Sequence, residues 1–476
     1  MPGRQSWTPP FPATESIRCR TLWRRQTTAD TTERSKMTSF RPIPLLMALG
    51  AVFSGSLQAQ SLVDLYESAR VFDASYQSAK SQYTATLARA DQAKAGLLPT
   101  VGLSMGASVT NLDNTLATAN QGSYNTQSAT LSASHPLYRP ANQAAYEQGR
   151  KLVTLAQAQL ASADQDLIVR VSQAYFDVLA AMDTLTFVKA QKAAVGEQLA
   201  SAKRNFEVGT ATITDTREAQ ARFDLGTAQE IAADNDLRVK RIALDQLVGK
   251  NDAQPKLLAQ PLTLPALLPA DVTSWVLQSE TDHPSVQQAQ VTLDVAQLET
   301  TKAQAGHKPT LDLTAGYNIT QNNGSANTPA DFRTNAATIG LAFNLPLFAG
   351  YAIQNRVRET VALEEKARND LDGSKRAVAQ ATRSAFFGVL SGQGQVKALE
   401  AAEASSQSAL EANQVGYQVG VRINIDVLNA QSQLFQTKRD LAKARYDVLV
   451  GGLRLRQASG MLKPDDLNTV NTLLTP

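Results

Sequence analysis

Three histidines and one cysteine are the chain's entire stock of soft metal ligands and thiol nucleophiles. His135, His283 and His307 lie far apart. His135 ends an alternating stretch, and His283 precedes Pro284 where a helix should begin. No phosphate-binding P-loop, GxSxG, HExxH or cysteine pair occurs. The adjacent carboxylates Asp465 and Asp466 read as a solvated terminus. The sequence therefore predicts no catalytic residue, no metal and no cofactor. The residues whose spacing does suggest a task form two decapeptides. FEVGTATITD runs from Phe206 to Asp215, and YQVGVRINID runs from Tyr417 to Asp426, 211 positions later. Each offers an aromatic, a Val-Gly step and a carboxylate, and the second adds Arg422. Such groups make hydrogen bonds and ion pairs between surfaces; they do not break covalent bonds.

Both decapeptides need helices to hold them. Glycine supplies a left-handed C-terminal cap at little steric cost, so Gly209 and Gly420 are natural helix stops. Thr214 or Asn424 could then start a return helix, with Asp215 and Asp426 in its first turn beside the positive end of the dipole. Capping alone accounts for the Gly and the Asp. It leaves the aromatic, Arg422 and the duplication unexplained.

The duplication extends well beyond these segments. Lys94–Ser104 answers Gln304–Thr314, pairing Pro99 with Pro309. Pro136-Leu137-Tyr138 answers Pro346-Leu347-Phe348, and Ala174–Leu179 answers Ala385–Leu390. The terminal glycines Gly249 and Gly460 keep the offset. In each half a helix (Leu62 to Ala95 in the first) precedes two alternating stretches. Val101, Leu103, Met105, Ala107 and Val109 oppose Thr100, Gly102, Ser104, Gly106, Ser108 and Thr110, a strand with one apolar and one hydroxylic face. Tyr124–Leu137 alternates again. In the second half Leu311–Thr320 alternates, and after the loop NNGSANTPADFRTN so does the stretch from Thr338 through Leu345 and Leu347. Proline is then absent between Pro140 and Pro255 and between Pro346 and Pro464, so each window reads as a hairpin of two long helices.

Strands of about 11 residues cross a bilayer when tilted. Packing on a soluble core is the plainer reading, but no other residues are available to cover such a sheet. Four strands cannot close a barrel, and open edges are not tolerated in lipid. Several copies must pool their strands, and three copies would supply twelve.

Composition fits. Aromatic residues make up only 6% of the chain. Ala, Gln, Ser and Leu fill long tracts instead, which suits close-packed helices. Residues 1–36 lack periodicity and are expected to be a non-native extension ahead of Met37. Residues 37–59 read as a signal peptide ending at Ala59. Its apolar stretch is too short to span a membrane as a helix. Without residues 1–59 the net charge changes from +3 to about −2, which removes the argument for a nucleic-acid partner. Cys19 leaves with them, so the remaining chain has no thiol for a lipid anchor.

Gly416–Leu449, FEVGTATITD and the strand-ending HPLY and LPLF closely resemble the outer-membrane efflux protein family, and the similarity spans Gln60 to Leu474. The resemblance implies a mainly α fold with transmembrane β: a homotrimeric duct, four strands per chain in a 12-stranded β-barrel joined to a 12-helix periplasmic α-barrel. It divides the chain into helix 60–99, strand pair 100–138, hairpin 139–250, linker and equatorial segment 251–280, helix 281–308, strand pair 309–348, hairpin 349–461 and equatorial tail 462–476. The location implied is the Gram-negative outer membrane, with a long periplasmic extension. The function implied is an exit duct for drugs, small molecules and type I secreted proteins. Its partners would be outer-membrane lipid, a periplasmic adaptor (membrane fusion) protein and an inner-membrane pump of RND, ABC or MFS type. The decapeptides would be periplasmic tips that close as an iris. Tyr417 would bond Asp215, Arg422 would contact Thr214, and Asp426 would form a threefold acidic ring. Asn429 takes the place of a second acid, leaving one ring. Val208, Gly209, Val419 and Gly420 would lie where the adaptor docks.

A dedicated outlet for one pump is the alternative. A periplasmic adaptor should have one hairpin with lipoyl-like flanks, and a structural coiled coil should lack amphipathic strands.

Overall fold

The computed structural model describes residues 60–113, 122–259, 261–325, 328 and 330–475. The expected extension (1–36) and signal (37–59) lie outside the described residues. The chain runs α1 (Leu62–Phe72), α2 (Ala74–Lys94), β1 (Thr100–Leu112), β2 (Gly122–Tyr138), α3 (Pro140–Glu207) and α4 (Ile213–Val248). It continues through α5 (Val272–Asp282), α6 (Pro284–Gln304), β3 (Thr310–Asn323), β4 (Asp331–Asn344), α7 (Ala352–Gln418), α8 (Asn424–Ala458) and α9 (Asp466–Asn471). Helix α3 has 68 residues and α7 has 67 residues. At about 1.5 Å per residue, each is ~100 Å long.

The helix expected over Leu62–Ala95 is broken at Asp73, whose backbone is extended (φ −60°, ψ 117°). Its carboxylate accepts the Tyr76 N–H at 2.8 Å and receives both arms of Arg170 at 2.9 and 3.0 Å. His283 makes the corresponding break between α5 and α6, and its Nδ1 accepts the Ser285 N–H at 3.1 Å. A distant arginine and a local cap thus override continuous helical propensity.

The strands form one antiparallel sheet in the order β1-β2-β3-β4. A register shift lets β2 carry Pro136 and continue to Tyr138. β4 instead stops at Asn344, so Leu345 and Leu347, expected on the strand, lie beyond it. Pro346 has no N–H for the ladder. Gly350 and Tyr351 then turn the chain with φ of 59° and 63°. At the other end, pairing reaches Asn323 and Asp331, shortening the expected loop.

The largest core gathers α1, α3, α4, α8 and α9. This aromatic-poor chain concentrates Tyr66, Tyr175, Phe176 and Tyr446 there, all nearly fully buried. Each tyrosine hydroxyl finds an acceptor: Asp164, the Lys256 carbonyl and Asp183 respectively. The linker and C-terminal tail meet beside this core, where Thr475 N donates to Leu257 O and Ala259 N to Leu473 O. Asp466 is not a solvated terminal carboxylate: Arg456 pairs with it at 2.6 Å, and it accepts the Lys463 N–H.

Candidate functional site: hairpin tips and the strand wall

At the first tip, α3 ends at Glu207 and Gly209 takes φ 77°. The return helix begins one residue after Thr212, not at Thr214. The Thr212 hydroxyl accepts the Asp215 N–H at 3.2 Å, and Asp215 Oδ2 accepts the Thr212 N–H at 3.0 Å and its hydroxyl at 2.7 Å. This reciprocal capping box satisfies the helix end locally.

The second tip repeats the backbone without that cap. Gly420 again has φ 77°, but Ile423 occupies the cap position and has no side-chain acceptor. Asn424 is the first residue of α8. It is 2% exposed, and neither side-chain amide atom has a hydrogen-bond partner within the chain. A buried amide left unpaired costs about 1–3 kcal/mol, so this tip is packed less favourably than the first. Arg422 folds back over Gly416, where a Cβ would lie 2.7 Å from its Cγ, and its guanidinium sits 3.7 Å from Asp426.

Within one chain, then, Asp215 is engaged by Thr212, Arg422 faces Asp426, and Thr214 is exposed. Neither the Tyr417–Asp215 nor the Arg422–Thr214 contact implied by the resemblance is the one seen here. Near the tips the hairpins are instead linked by pairs that sequence reasoning missed. Asn205 Nδ2 approaches the Tyr417 hydroxyl at 3.5 Å, and Arg222 Nη2 donates to Asn429 Oδ1 at 3.0 Å. The only advance signal was position: Asn205 abuts the first decapeptide, and Asn429 stands where a second acid was expected. Val208, Val419 and Val421 are exposed at the tips, as an apolar contact surface requires.

The strand wall carries the other half of the site. Its outward rows run Tyr138/Leu311/Phe343, His135/Leu313/Leu341, Val101/Ala133/Ala315/Ile339, Leu103/Leu131/Tyr317/Ala337 and Met105/Ala129/Ile319/Asn335, apolar but for His135 and Asn335. Met105 and Ile339 are 76% and 80% exposed in one chain, with no protein layer over them. The nine residues from Leu311 to Ile319, tilted as barrel strands are, give an apolar band ~20 Å high, close to the hydrocarbon depth of an outer-membrane barrel. The opposite face holds glycine, serine, threonine and asparagine, laddered by Thr126–Asn322 and Thr130–Asn318 hydrogen bonds of 2.6 and 2.9 Å. Its charged residue, Asp312, is neutralised by both arms of Arg139 at 2.6 and 2.8 Å. Among the described residues no helix is long and apolar enough to cross a membrane, and no cluster of three metal-ligating side chains occurs.

The model of the outer membrane efflux protein family matches residues 65–250 and 275–461, one match for each half of the duplication. The chain belongs to that family. It is 31% identical over 436 residues to outer membrane protein TolC of Vibrio cholerae serotype O1, covering 91% of this chain and 98% of that one. Alkaline protease secretion protein AprF of Pseudomonas aeruginosa is 31% identical over 421 residues, 87% of each chain. Among solved structures, the outer membrane protein VceC of Vibrio cholerae superposes with a TM-score of 0.73 at 20% identity, over 84% of this chain and 96% of that one. The sheet is accordingly one third of a 12-stranded outer-membrane barrel, continuous with a periplasmic α-barrel of helical hairpins. The protein is an outer-membrane exit duct serving efflux and type I secretion. Its relatives are channels, not enzymes. Channels of this family are homotrimers that work with adaptor and inner-membrane pump partners.

Proposed function

We propose that the duct is a multipurpose outlet working with a periplasmic adaptor and an inner-membrane pump of RND, ABC or MFS type, and that it is gated at its periplasmic end by the two decapeptide tips. Tyr417, Asp215, Arg422 and Thr214 are the gate residues, Asp426 forms the acidic entrance ring, and Val208, Gly209, Val419 and Gly420 receive the adaptor. The observation that carries this reading is the asymmetry of the tips. The first is closed on itself by the Thr212–Asp215 box, while the second leaves Ile423 without a capping side chain and Asn424 unpaired. A tip whose polar groups are unmet within its own chain is suited to exchange partners with a neighbouring hairpin. Contacts worth about 1–3 kcal/mol each hold the closed arrangement and are lost when the coils rotate apart. A wall of mostly small residues, its Asp312 neutralised by Arg139, offers no pocket for tight cargo contacts, which suits broad export.

Planar-bilayer conductance of the purified trimer tests the gate. The wild type should conduct weakly, and Tyr417→Phe combined with Arg422→Ser should raise conductance several-fold. Equal conductance removes the gate assignment and leaves the barrel standing.

A further inference from the structure

The lumen-facing positions of the strands follow one parity, from Thr100 to Thr110, Gly122 to Pro136, Thr310 to Asn322 and Phe332 to Asn344. Almost all are small. One row reads Gly102, Ser132, Gly316, Thr338, and another reads Gly106, Ser128, Thr320, Thr334. Among the described lumen-facing residues only Tyr124 and Phe332 are aromatic, and both stand at the end of the sheet away from the helices.

Among the described residues neither ring belongs to a hydrophobic core. A barrel wall is one layer thick, so an inward ring packs in no core, and the inward face does not meet lipid. Phe332 sits in register with Ser108, Thr126 and Asn322, an apolar ring beside a hydrogen-bonded ladder. The outward residues at this level are Ala107, Gln127, Gln321 and Arg333, then Val109, Asn125, Asn323 and Asp331, polar on every strand but β1. These polar rows place the two aromatics above the apolar band, at the external mouth.

We propose that Tyr124 and Phe332 form an aromatic collar that sets the size limit at the external end of the duct. The inference rests on the exit-duct reading above. Twelve strands tilted as barrel strands are enclose a backbone cylinder ~24 Å across. Three copies contribute six rings in two adjacent inward rows, Tyr124 lying one row beyond Phe332, and small residues line the wall below, so the passage narrows at the collar.

The test is polymer exclusion with the full-length trimer in planar bilayers, adding polyethylene glycols of graded size on the external side. Tyr124→Ala with Phe332→Ala should move the exclusion limit to larger polymers, while the outward pair Asn125→Ala with Arg333→Ala should leave it unchanged. In a Cys19→Ser background, a bulky water-soluble thiol reagent should lower conductance at Tyr124→Cys and Phe332→Cys but not at Asn125→Cys. A conducting trimer whose limit does not move, or an equal drop at position 125, overturns the collar alone. A preparation that forms no trimeric channel overturns the duct reading and the collar with it.

Discussion

The Tyr446 hydroxyl donates to Asp183 Oδ2 at 2.6 Å, joining α8 of the second hairpin to α3 of the first across 263 residues of sequence. Burial pushes the Asp183 carboxyl above the usual carboxylate range, and the tyrosine bond opposes that shift without cancelling it. A carboxyl whose folded value is raised favours the folded state at low pH, and the advantage is lost as pH rises through the folded value. The tyrosine donor matters most once the carboxylate is ionised. Tyr446→Phe should therefore cost about 1–3 kcal/mol at pH 7.5 and clearly less at pH 3.5. Unfolding midpoints of the two proteins at both pH values check this, and an equal loss at both contradicts it.

Glu299 on α6 behaves in the opposite sense. Burial raises its carboxyl, but Gln148 of α3, Arg356 of α7 and Lys302 donate to it at 2.9, 2.8 and 3.2 Å and together hold it down at about 2. Its contribution is fully present above the ordinary glutamate range and fades as pH falls from there towards 2. Wild type should lose stability steadily across that acid window, and Glu299→Gln should show a flatter profile there. Parallel acid titrations by circular dichroism would reveal identical slopes if the cluster contributes nothing.

Gly249 and Gly460 end the two hairpins, with φ of 68° and 77°. A Cβ on Gly460 would lie 2.5 Å from His283 Cα and 2.7 Å from its nitrogen, whereas one on Gly249 would overlap the Phe72 ring. A partly exposed ring can move; the His283 backbone, fixed between two helices, cannot. Gly460→Ala should thus destabilise by more than the roughly 1–3 kcal/mol of backbone strain alone, and by more than Gly249→Ala. Gly209→Ala and Gly420→Ala, with nothing within 4 Å, should cost only the strain. Comparing the melting points of the four variants tests this ranking.

Much of this architecture is written in local signals. Alternation from Thr100 to Thr110 fixes a two-faced strand because side chains along a strand have period two. The proline-free windows and the Gly209 and Gly420 stops fix two hairpins because helix propensity and capping act within a few residues. Repetition at 210–211 positions fixes their equivalence. The break at Asp73 was only partly legible: its cap on the Tyr76 N–H is local, but the Arg170 that pairs with it lies 97 residues away. The inter-hairpin pairs were not legible: Asn205 with Tyr417 and Arg222 with Asn429 are separated by 212 and 207 residues. Sequence periodicity gives the face a residue occupies. The axial register at which two ~100 Å helices lie side by side is a sum of many small packing terms, and that register chooses each side chain's partner. The same division holds for the wall. Alternation told inward from outward, but only strand pairing brought Phe332 level with Thr126 and put both above the apolar band.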